Sequence, residues 1–312
     1  MVYHIRMKRF LKILLLSPMI FASVSCSPKE PTPVDVVIIS GQSNGVGCTR
    51  CSCISKSIGA SKYYEYNDGY EEIKIAFDSW TKDVNPNTND VMFYSQNKSK
   101  DDGFVKVMLG QGNSVSCFGP EIGIAESMRE KYADKLFLIK YACGASNLKD
   151  DWAKRNSPMY GRFIKYIQKQ IENLKQMGYA PTIKAFCWMQ GEGDAYDGYY
   201  QVYYDNLKEF VTNVRTDIKD LAGDKDVPFI DAGISDAKSE NGRVWQYYKE
   251  VNEAKKQFAD ESDNNFYIDT IAEGLHTNEE PFGEPDYCHY DSESEVLLGK
   301  LFAQKFEPFL AK

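Results

Sequence analysis

The sequence predicts an α/β fold of three layers, in which helices cover both faces of a doubly wound, mostly parallel sheet. Short apolar runs alternate along the chain with longer segments of helical periodicity. Strands that are buried on both faces are apolar throughout, and a regular strand–helix alternation builds parallel sheets. The 312-residue chain is also long enough to bury one large core.

The elements follow one another in a consistent order. Continuous apolar runs predict strands at residues 34–40, 136–142, 183–189 and 227–234, with shorter candidates at 104–108 and 266–269. Helical periodicity predicts helices at residues 120–132, 160–177, 196–218, 241–258 and 292–309. The first of these helices opens with Pro120 and Glu121, which suit the first turn and the positive end of the helix dipole.

Residues 48–103 interrupt this alternation. They are rich in Ser, Lys, Asp, Asn and Tyr and contain few apolar runs. The segment is therefore interpreted as a long loop insertion in a single domain that covers residues 34–312. Insertions of this length are often functional, and we expect this one to form a wall of the substrate site.

The N-terminus predicts a bacterial lipoprotein signal peptide at residues 1–25. A basic start precedes an apolar stretch at residues 13–24, which is too short to span a bilayer and ends in small residues before Cys26. We expect lipidation of Cys26, and a proline-rich tether at residues 26–33. The protein is then exported and anchored to the cell envelope, on the periplasmic face or the cell surface. Secretion after cleavage nearby is the alternative.

Charge and cysteine usage restrict the partners. The net charge of -8 comes with no basic patch, which argues against nucleic acid. Cys48, Cys51 and Cys53 lie close in sequence, but a zinc site wants four ligands and no histidine is near. We therefore expect no metal and no other cofactor. A disulfide that staples this loop, for example to Cys117, is the preferred interpretation, and an odd thiol count leaves at least one free cysteine.

A serine, a histidine and a carboxylate suggest nucleophilic catalysis. Ser43 follows the first apolar run, and only His276 and His289 lie beyond the leader. A serine hydroxyl needs a base, and Asp286, three residues before His289, can orient that imidazole. The stretch around Ser43 also fits G-x-S-x-G, but only one strand precedes it, which disfavours an α/β-hydrolase elbow. A Ser-x-x-Lys match at residues 95–98 is interpreted as chance.

Five blocks together resemble the SGNH-hydrolase superfamily, within it the branch of sialate O-acetylesterases and acetylxylan esterases. They are Gly-Gln-Ser-Asn at 41–44, Phe-Gly-Pro-Glu at 118–121, Lys-Tyr-Ala-Cys-Gly-Ala-Ser at 140–146, Trp-Met-Gln-Gly-Glu-Gly-Asp at 188–194 and Asp-x-x-His at 286–289. The resemblance implies a flavodoxin-like, five-stranded sheet. It also implies a serine esterase that removes O-acetyl groups from sialic acid or xylan-type glycans through an acyl-enzyme.

The resemblance assigns roles that these residues can fill chemically. Ser43 is the nucleophile, His289 the general base and then the general acid, and Asp286 the residue that orients His289. The oxyanion hole consists of the backbone N–H groups of Ser43 and Gly144 and the side-chain amide of Gln190. Each such donor is worth roughly 10²–10³-fold in kcat.

Further residues of the same blocks are expected to support the site. The supporting set is Gln42, Asn44, Glu192 and Glu121. Glu192 either holds the loops in place or replaces Asp286 as the acid. Capping of a helix N-terminus is the structural alternative for Glu192 and Asp194.

Two alternatives to a sugar acetylesterase stay open. One is a lipase or thioesterase on the same fold, and the other is a glycan-binding lipoprotein without turnover. Trp152 is expected to line the sugar site, or else to pack at its rim. A sialate carboxylate would require an arginine near the pocket, and the sequence does not choose among Arg50, Arg155, Arg162 and Arg243.

Overall fold

A mixed eight-stranded sheet runs through the centre of the computed structural model, which describes residues 30–155, 157–277, 280, 283 and 285–311. Its strands are β1 (Thr32–Gly41), β3 (Tyr70–Val84), β4 (Val91–Lys98), β5 (Val105–Val107), β7 (Leu136–Gly144), β8 (Tyr179–Met189), β9 (Phe229–Ala232) and β12 (Asn265–Ile268). Short ladders outside this sheet join β2 (Thr49–Arg50) to β6 (Cys117–Phe118) and β10 (Lys238–Ser239) to β11 (Gly242–Arg243).

The order of the strands explains where the core lies. The path is β12-β9-β8-β1-β7-β3-β4, and every pair from β12 to β3 is parallel. The strands β4 and β5 pair with β3 in antiparallel fashion. The strand β1 lies near the middle and is buried from Val34 onward, as its unbroken Val and Ile run predicts.

Helices flank the sheet. They are α1 (Ser43–Val46), α2 (Ala60–Asp68), α3 (Glu121–Met128), α4 (Pro158–Gln176), α5 (Tyr203–Asp217), α6 (Tyr248–Ala259) and α7 (Ser292–Phe306). On one face, Phe163 of α4 and Phe210 of α5 contact Phe186 and Trp188 of β8. The mostly parallel sheet with flanking helices confirms the predicted α/β class.

The predicted strand count and the predicted loop insertion need correction. Residues 48–103 contain α2 and two strands of the central sheet, β3 and β4. The strand β3 pairs with β7 along eight residues from Lys74 to Thr81. Ile73, Ile75 and Phe77 are buried on one face of β3, while Glu72, Lys74 and Asp78 on the other face are only partly buried. This one-sided pattern lacks the continuous apolar run that marks the other parallel strands, so the sheet is larger than five strands.

Helix starts follow local chemistry. The Asp291 side chain accepts a hydrogen bond from Ser294 N, which caps α7 at the predicted position. The helix α6 begins at Tyr248 rather than at residue 241 because Gly242, at φ 109°, turns the short β10–β11 hairpin first. The helix α5 begins at Tyr203, after a 3₁₀ turn at Tyr200–Val202, rather than at residue 196.

The cysteines of the described chain are free thiols. They are Cys48, Cys51, Cys53, Cys117, Cys143, Cys187 and Cys288. The disulfide expected between the Cys48–Cys53 segment and Cys117 is therefore not formed in this structure. The reason lies in the β2–β6 register, which places Arg50, and not a cysteine, opposite Cys117.

The N-terminal predictions fall outside the part of the chain that the structure describes. This holds for the signal peptide at residues 1–25, for Cys26 and for the first half of the tether, residues 26–29. Within the described residues, none of the helices is both long and apolar enough to cross a membrane.

One carboxyl group is buried without hydrogen bonds to the described part of the chain. Glu295 of α7 is fully buried, and neither of its carboxyl oxygens has a hydrogen-bond partner among the described residues. Burial raises the pKa of Glu295 well above its ordinary value. The folded protein therefore holds a proton here that the unfolded chain releases above pH ~4.3.

We predict that Glu295→Met stabilises the protein more at pH 8 than at pH 4. At pH values between the pKa of Glu295 in the unfolded chain and its raised pKa in the folded protein, the folded protein binds one more proton. The free energy of unfolding therefore falls as pH rises through this range, and the substitution to methionine removes that loss. Urea denaturation should show a gain of about 1–3 kcal/mol at pH 8. Glu293→Gln, which changes an exposed acid of the same helix, is the control. Equal gains at both pH values would contradict the raised pKa.

Candidate active site

The carboxyl ends of three neighbouring strands form the candidate site. The strand β1 lies between β7 and β8, and Gly41 aligns with both Ala142 and Met189. A Cβ on Gly41, at φ 138°, would lie 1.9 Å from Met189 O, so only glycine allows the chain to turn here. Ser43 then opens α1 at this edge of the sheet, and is half-buried.

Asp286 and His289 form a hydrogen-bonded pair on the loop before α7. The distance between His289 Nδ1 and Asp286 Oδ2 is 2.8 Å. The other carboxylate oxygen of Asp286 accepts hydrogen bonds from Cys288 N (2.9 Å) and His289 N (3.1 Å). The spacing of three residues therefore does bring the carboxylate to the imidazole, as predicted, and leaves Nε2 directed away from Asp286.

Electrostatics favour an ionised carboxylate beside a basic imidazole. Burial raises the pKa of Asp286, but the hydrogen bond and charge of His289 and the two backbone N–H groups outweigh burial and lower it to about 2. Burial lowers the pKa of His289, whereas hydrogen bonds with Asp286 and Cys48 raise it, and the net shift is upward. A more basic imidazole accepts a proton more readily.

The side chain of Asn44 joins the serine turn to the histidine loop. Asn44 Nδ2 donates to Cys288 O (3.3 Å), and Asn44 Oδ1 accepts from Tyr290 N (3.1 Å). The residue that follows Ser43 therefore binds the backbone on both sides of His289. This arrangement holds the candidate nucleophile and the candidate base at the same edge of the sheet.

Glu192 supports Asn44 rather than His289. Its Oε1 accepts a hydrogen bond from Asn44 Nδ2 at 2.7 Å. Glu192 is fully buried, which raises its pKa, and Oε2 has no partner among the described residues. No hydrogen bond within the described chain links Glu192 to His289. The geometry therefore favours the loop-holding role over that of an alternative acid.

The role expected for Gln190 requires correction. Its Nε2 donates to Asp194 Oδ2 (2.5 Å) and to Gln42 Oε1 (3.2 Å), and the side chain is fully buried. Both amide hydrogens are thus used inside the protein. Because an oxyanion donor must point an unshared N–H at the substrate, Gln190 does not supply one in this structure.

Gln42 and Asp194 complete the same polar network. Gln42 Oε1 also accepts from Gly191 N (3.3 Å) and Gly193 N (3.0 Å), which ties the serine turn to the loop after β8. Asp194 Oδ2 accepts from Leu148 N (2.7 Å) in the loop after β7. Asp194 therefore binds a neighbouring loop, and helix capping, the structural alternative considered for it, does not describe these contacts.

Glu121 acts on the site through a buried lysine. Glu121 Oε2 accepts from Lys140 Nζ (2.7 Å), and both side chains are fully buried. Lys140 Nζ also donates to Val46 O (3.0 Å) and Gln111 O (2.7 Å). Val46 is the last residue of α1, so this ion pair fixes the short helix that begins at Ser43. The supporting role expected of Glu121 fits these contacts.

Trp152 belongs to the core, which corrects its predicted place in the sugar site. The side chain is 0% exposed. Its ring makes edge contacts with Trp188 and Phe163, and its Nε1 donates to Ser146 Oγ at 2.8 Å. Trp152 therefore supports the turn after Gly144 from within the core. It neither lines the sugar site nor packs at its rim.

Gly144 lies where the sequence predicts an oxyanion donor. Gly144 ends β7 beside Ala145, which is at φ 59°, so the chain turns sharply at the expected place for an oxyanion donor.

Ser95 and Lys98 lie on β4, where Ser95 Oγ donates to Asp78 and Lys98 pairs with Asp102. The Ser-x-x-Lys match is thus not a catalytic pair.

A cleft of about 210 Å³ opens beside the histidine pair. Its lining includes His289 and Asp286 on one side and Cys48, Thr49 and Arg50 on another. From the sequence, Cys48 was expected in a segment that forms a disulfide, and Arg50 was one of four arginines considered for binding a sialate carboxylate. Their position in the chain, a few residues after Ser43, was the one signal that pointed to the site.

Comparison with known proteins identifies a family for these features. Residues 33–307 match the family described as carbohydrate esterase, sialic acid-specific acetylesterase. The sequence has no significant match among curated proteins.

Several solved structures share the fold. A protein from Arabidopsis thaliana superposes with a TM-score of 0.57 at 21% identity, over 89% of this chain and all of its own. NanS gives 0.56 at 13% identity, over 90% of this chain and 98% of its own. A carbohydrate acetylesterase from Xanthomonas citri gives 0.53 at 16% identity, over 88% of this chain and 56% of its own. At such identities the similarity shows the fold alone.

We predict that Trp152→Phe lowers stability without weakening substrate binding. The variant loses the indole N–H and part of the packed ring, which should cost about 1–3 kcal/mol in urea denaturation. The KM for an aryl acetate should stay within about twofold of the wild-type value, because a buried side chain does not contact the substrate. A tenfold rise in KM at unchanged stability would contradict this and would show that Trp152 contacts the substrate.

Proposed function

Because the chain belongs to the sialic acid-specific acetylesterase family of carbohydrate esterases, we propose that it is a serine esterase that removes O-acetyl groups from sugars. Membership of the family makes the protein an esterase, and the serine mechanism is the proposal. The observation that carries it is the bridge from Asn44 to both neighbours of His289. This bridge joins the residue after Ser43 to the loop that carries His289, the imidazole of which is hydrogen-bonded to Asp286.

The proposed first half-reaction transfers the acetyl group to the enzyme. His289 Nε2 takes the proton of Ser43 Oγ, which attacks the acetyl carbonyl carbon. Asp286 keeps the proton of Nδ1 in place and stabilises the imidazolium that forms. The tetrahedral intermediate then collapses, and His289 gives its proton to the departing sugar oxygen. The products are a sugar hydroxyl and an acetyl ester on Ser43.

The proposed second half-reaction returns the enzyme to its resting state. Water loses a proton to His289 and attacks the carbonyl carbon of the acetyl ester. When the bond to Ser43 Oγ breaks, His289 returns this proton to Ser43 Oγ, and the acetic acid that leaves ionises to acetate in the solvent. With the amide of Gln190 occupied, we assign stabilisation of the oxyanion to the backbone N–H groups of Ser43 and Gly144. Ser43 N–H lies at the first turn of α1, where intrahelical acceptors are lacking.

We also propose that this chemistry takes place outside the cytoplasm. The basic and apolar leader before Cys26 supports export and lipid attachment, with an O-acetylated carbohydrate as the partner. The lipid would be the sole contact with the membrane.

Substitution of Ser43, His289 and Asp286 tests the proposed mechanism. Ser43→Ala and His289→Ala should each lower kcat for acetate release by roughly 10⁴–10⁶-fold, since the triad acts as a unit. Asp286→Asn should lower kcat by about 10⁴-fold, because an amide holds the wrong imidazole tautomer. Acetate release would be measured from acetylated xylan, O-acetylated sialic acid and an aryl acetate.

Ser95→Ala, outside the site, is the matched serine control and should keep wild-type rates. Near-normal rates in Ser43→Ala would refute the serine mechanism. Near-normal rates in Asp286→Asn would assign the acid role to another residue. Preference for octanoyl over acetyl esters would indicate a lipase or thioesterase, and no release from any ester would favour a glycan-binding protein.

A further inference from the structure

The hairpin of β3 and β4 extends beyond the edge of the sheet at which the candidate site lies. Thr81 is the last residue of β3 that pairs with β7, and its partner is Gly144. The strand β3 nevertheless continues to Val84, which pairs with Val91 of β4. Three further residues at roughly 3.3 Å each carry the hairpin about 10 Å past this edge. This part of the hairpin, residues 81–94, is the β3–β4 arm.

Apolar side chains on the β3–β4 arm are exposed to solvent. The exposed fractions are 45% for Val84, 49% for Val91, 39% for Met92 and 39% for Tyr94. A single exposed apolar residue is ordinary, but a group of neighbouring ones on a protein surface typically marks a binding site. The arm therefore presents an apolar surface at the edge of the sheet that carries the candidate active site.

A groove of about 610 Å³ opens beside this surface. Residues 91–94 line it from β4, Asp150 and Asp151 line it from the loop after β7, and Arg162 lines it from α4. Sites for small molecules have volumes of roughly 300–1,000 Å³ and combine apolar walls with a few polar groups. The groove has this composition, because carboxylate oxygens and guanidinium N–H groups lie opposite the apolar arm.

Internal contacts hold the walls of the groove in place. Lys82 Nζ lies 2.7 Å from Asp151 Oδ2, and both side chains are largely buried. The same carboxylate oxygen accepts a hydrogen bond from Asn147 N at 2.7 Å, within the loop after β7. The guanidinium carbon of Arg162 lies 5.0 Å from the ring centroid of Trp80. An ion pair therefore joins the arm to the loop that forms the opposite wall, and this fixes the separation of the two walls.

The groove lies close to the proposed oxyanion hole. Tyr94 pairs with Thr81 across β4 and β3, and Thr81 pairs with Gly144 across β3 and β7. Neighbouring strands are roughly 4.8 Å apart, so the backbone of Tyr94 lies about 10 Å from that of Gly144. Within the described chain, the groove and the cleft beside His289 share no lining residue. The groove is thus a separate region that adjoins the place of the reacting ester.

We propose that this groove binds a second sugar unit, linked to the unit whose acetyl ester lies at Ser43. This proposal rests on the proposed function, and it makes the substrate an acetylated oligosaccharide or polysaccharide rather than a free sugar. The apolar C–H face of the second ring packs against Met92 and Tyr94. Its hydroxyl groups bind the carboxylate of Asp150 and the guanidinium of Arg162.

The polar groups of the groove favour a sugar over an apolar occupant. An acyl chain or an apolar peptide would cover the charged groups of Asp150 and Arg162 without binding them, which carries a desolvation cost. Sugar hydroxyls donate and accept hydrogen bonds and so replace the water on both groups. The groove also adjoins the candidate site of a carbohydrate esterase, so a unit of the same glycan chain reaches it directly.

The test compares each acetylated sugar alone with the same unit in a longer chain. Two pairs are used, O-acetylated N-acetylneuraminic acid with O-acetylated sialyllactose, and acetylated xylose with acetylated xylotriose. Wild type should have the higher kcat/KM for the linked form of its preferred sugar. Tyr94→Ala should lower the ratio of linked to free sugar by about 10-fold, because apolar contact area is lost.

Two further variants separate the groove from general effects on the protein. Asp150→Ala should lower the same ratio by about 3- to 10-fold, because a hydrogen-bond acceptor for the second unit is lost. Tyr64→Ala changes an exposed tyrosine of α2 and should keep the wild-type ratio. An unchanged ratio in Tyr94→Ala would overturn the proposal, and so would equal kcat/KM for free and linked sugars in wild type.

Other outcomes are assigned as follows. Cleavage of the aryl acetate but of none of the four sugars would contradict the proposal, and so would a dimer in analytical ultracentrifugation that Tyr94→Ala dissociates, since the arm would then bind a second copy. No acetate even from the aryl acetate is failure of the proposed function. Calorimetry of Ser43→Ala with sialyllactose and xylotriose then tests the groove alone. Binding that is lost on adding Tyr94→Ala supports it, and equal affinities or no binding contradict it.

Discussion

The site depends on the hydrogen bonds of one side chain, the amide of Asn44. Ser43 belongs to the turn after the central strand, whereas His289 belongs to a loop nearly 250 residues later, since Asn44 and Tyr290 are 246 positions apart. Asn44 is the residue whose side chain spans this separation, and Glu192 fixes its orientation. An amide suits the task because it donates and accepts at once, so it can bind a carbonyl, a carboxylate and a backbone N–H together.

Buried charge and amide groups hold the remaining parts of the edge in place. Lys140 and Glu121 fix the far end of α1, and Gln42 and Asp194 connect the loops after β1, β8 and β7. Removing such groups from water is costly, and a buried pair is weak support for stability by itself. Here the pairs bind backbone atoms of the loops that carry the site, which indicates that they define loop positions rather than add to the core.

Much of this arrangement could be predicted from the sequence, and the exceptions have physical causes. Apolar runs marked the parallel strands, and the scarcity of histidine pointed to His289 with Asp286. The strand β3 was missed because charged and polar residues interrupt it and leave no apolar run longer than residues 75–77. Trp152 was misplaced because distance along the chain does not tell which way a side chain points. The role of Gln190 was wrong because its side-chain amide donates to Gln42 and Asp194, and no local sequence pattern reveals these contacts.

The rate at which a fluorophosphonate labels Ser43 in Asn44→Ala tests the central claim most directly. Labelling requires a serine aligned with its base but no sugar, so it isolates the alignment from substrate binding. The rate should fall by about 10- to 100-fold, as expected for the loss of a buried hydrogen-bonded amide, while Asn241→Ala labels like wild type. Undiminished labelling of Ser43 in a folded Asn44→Ala protein would contradict the account.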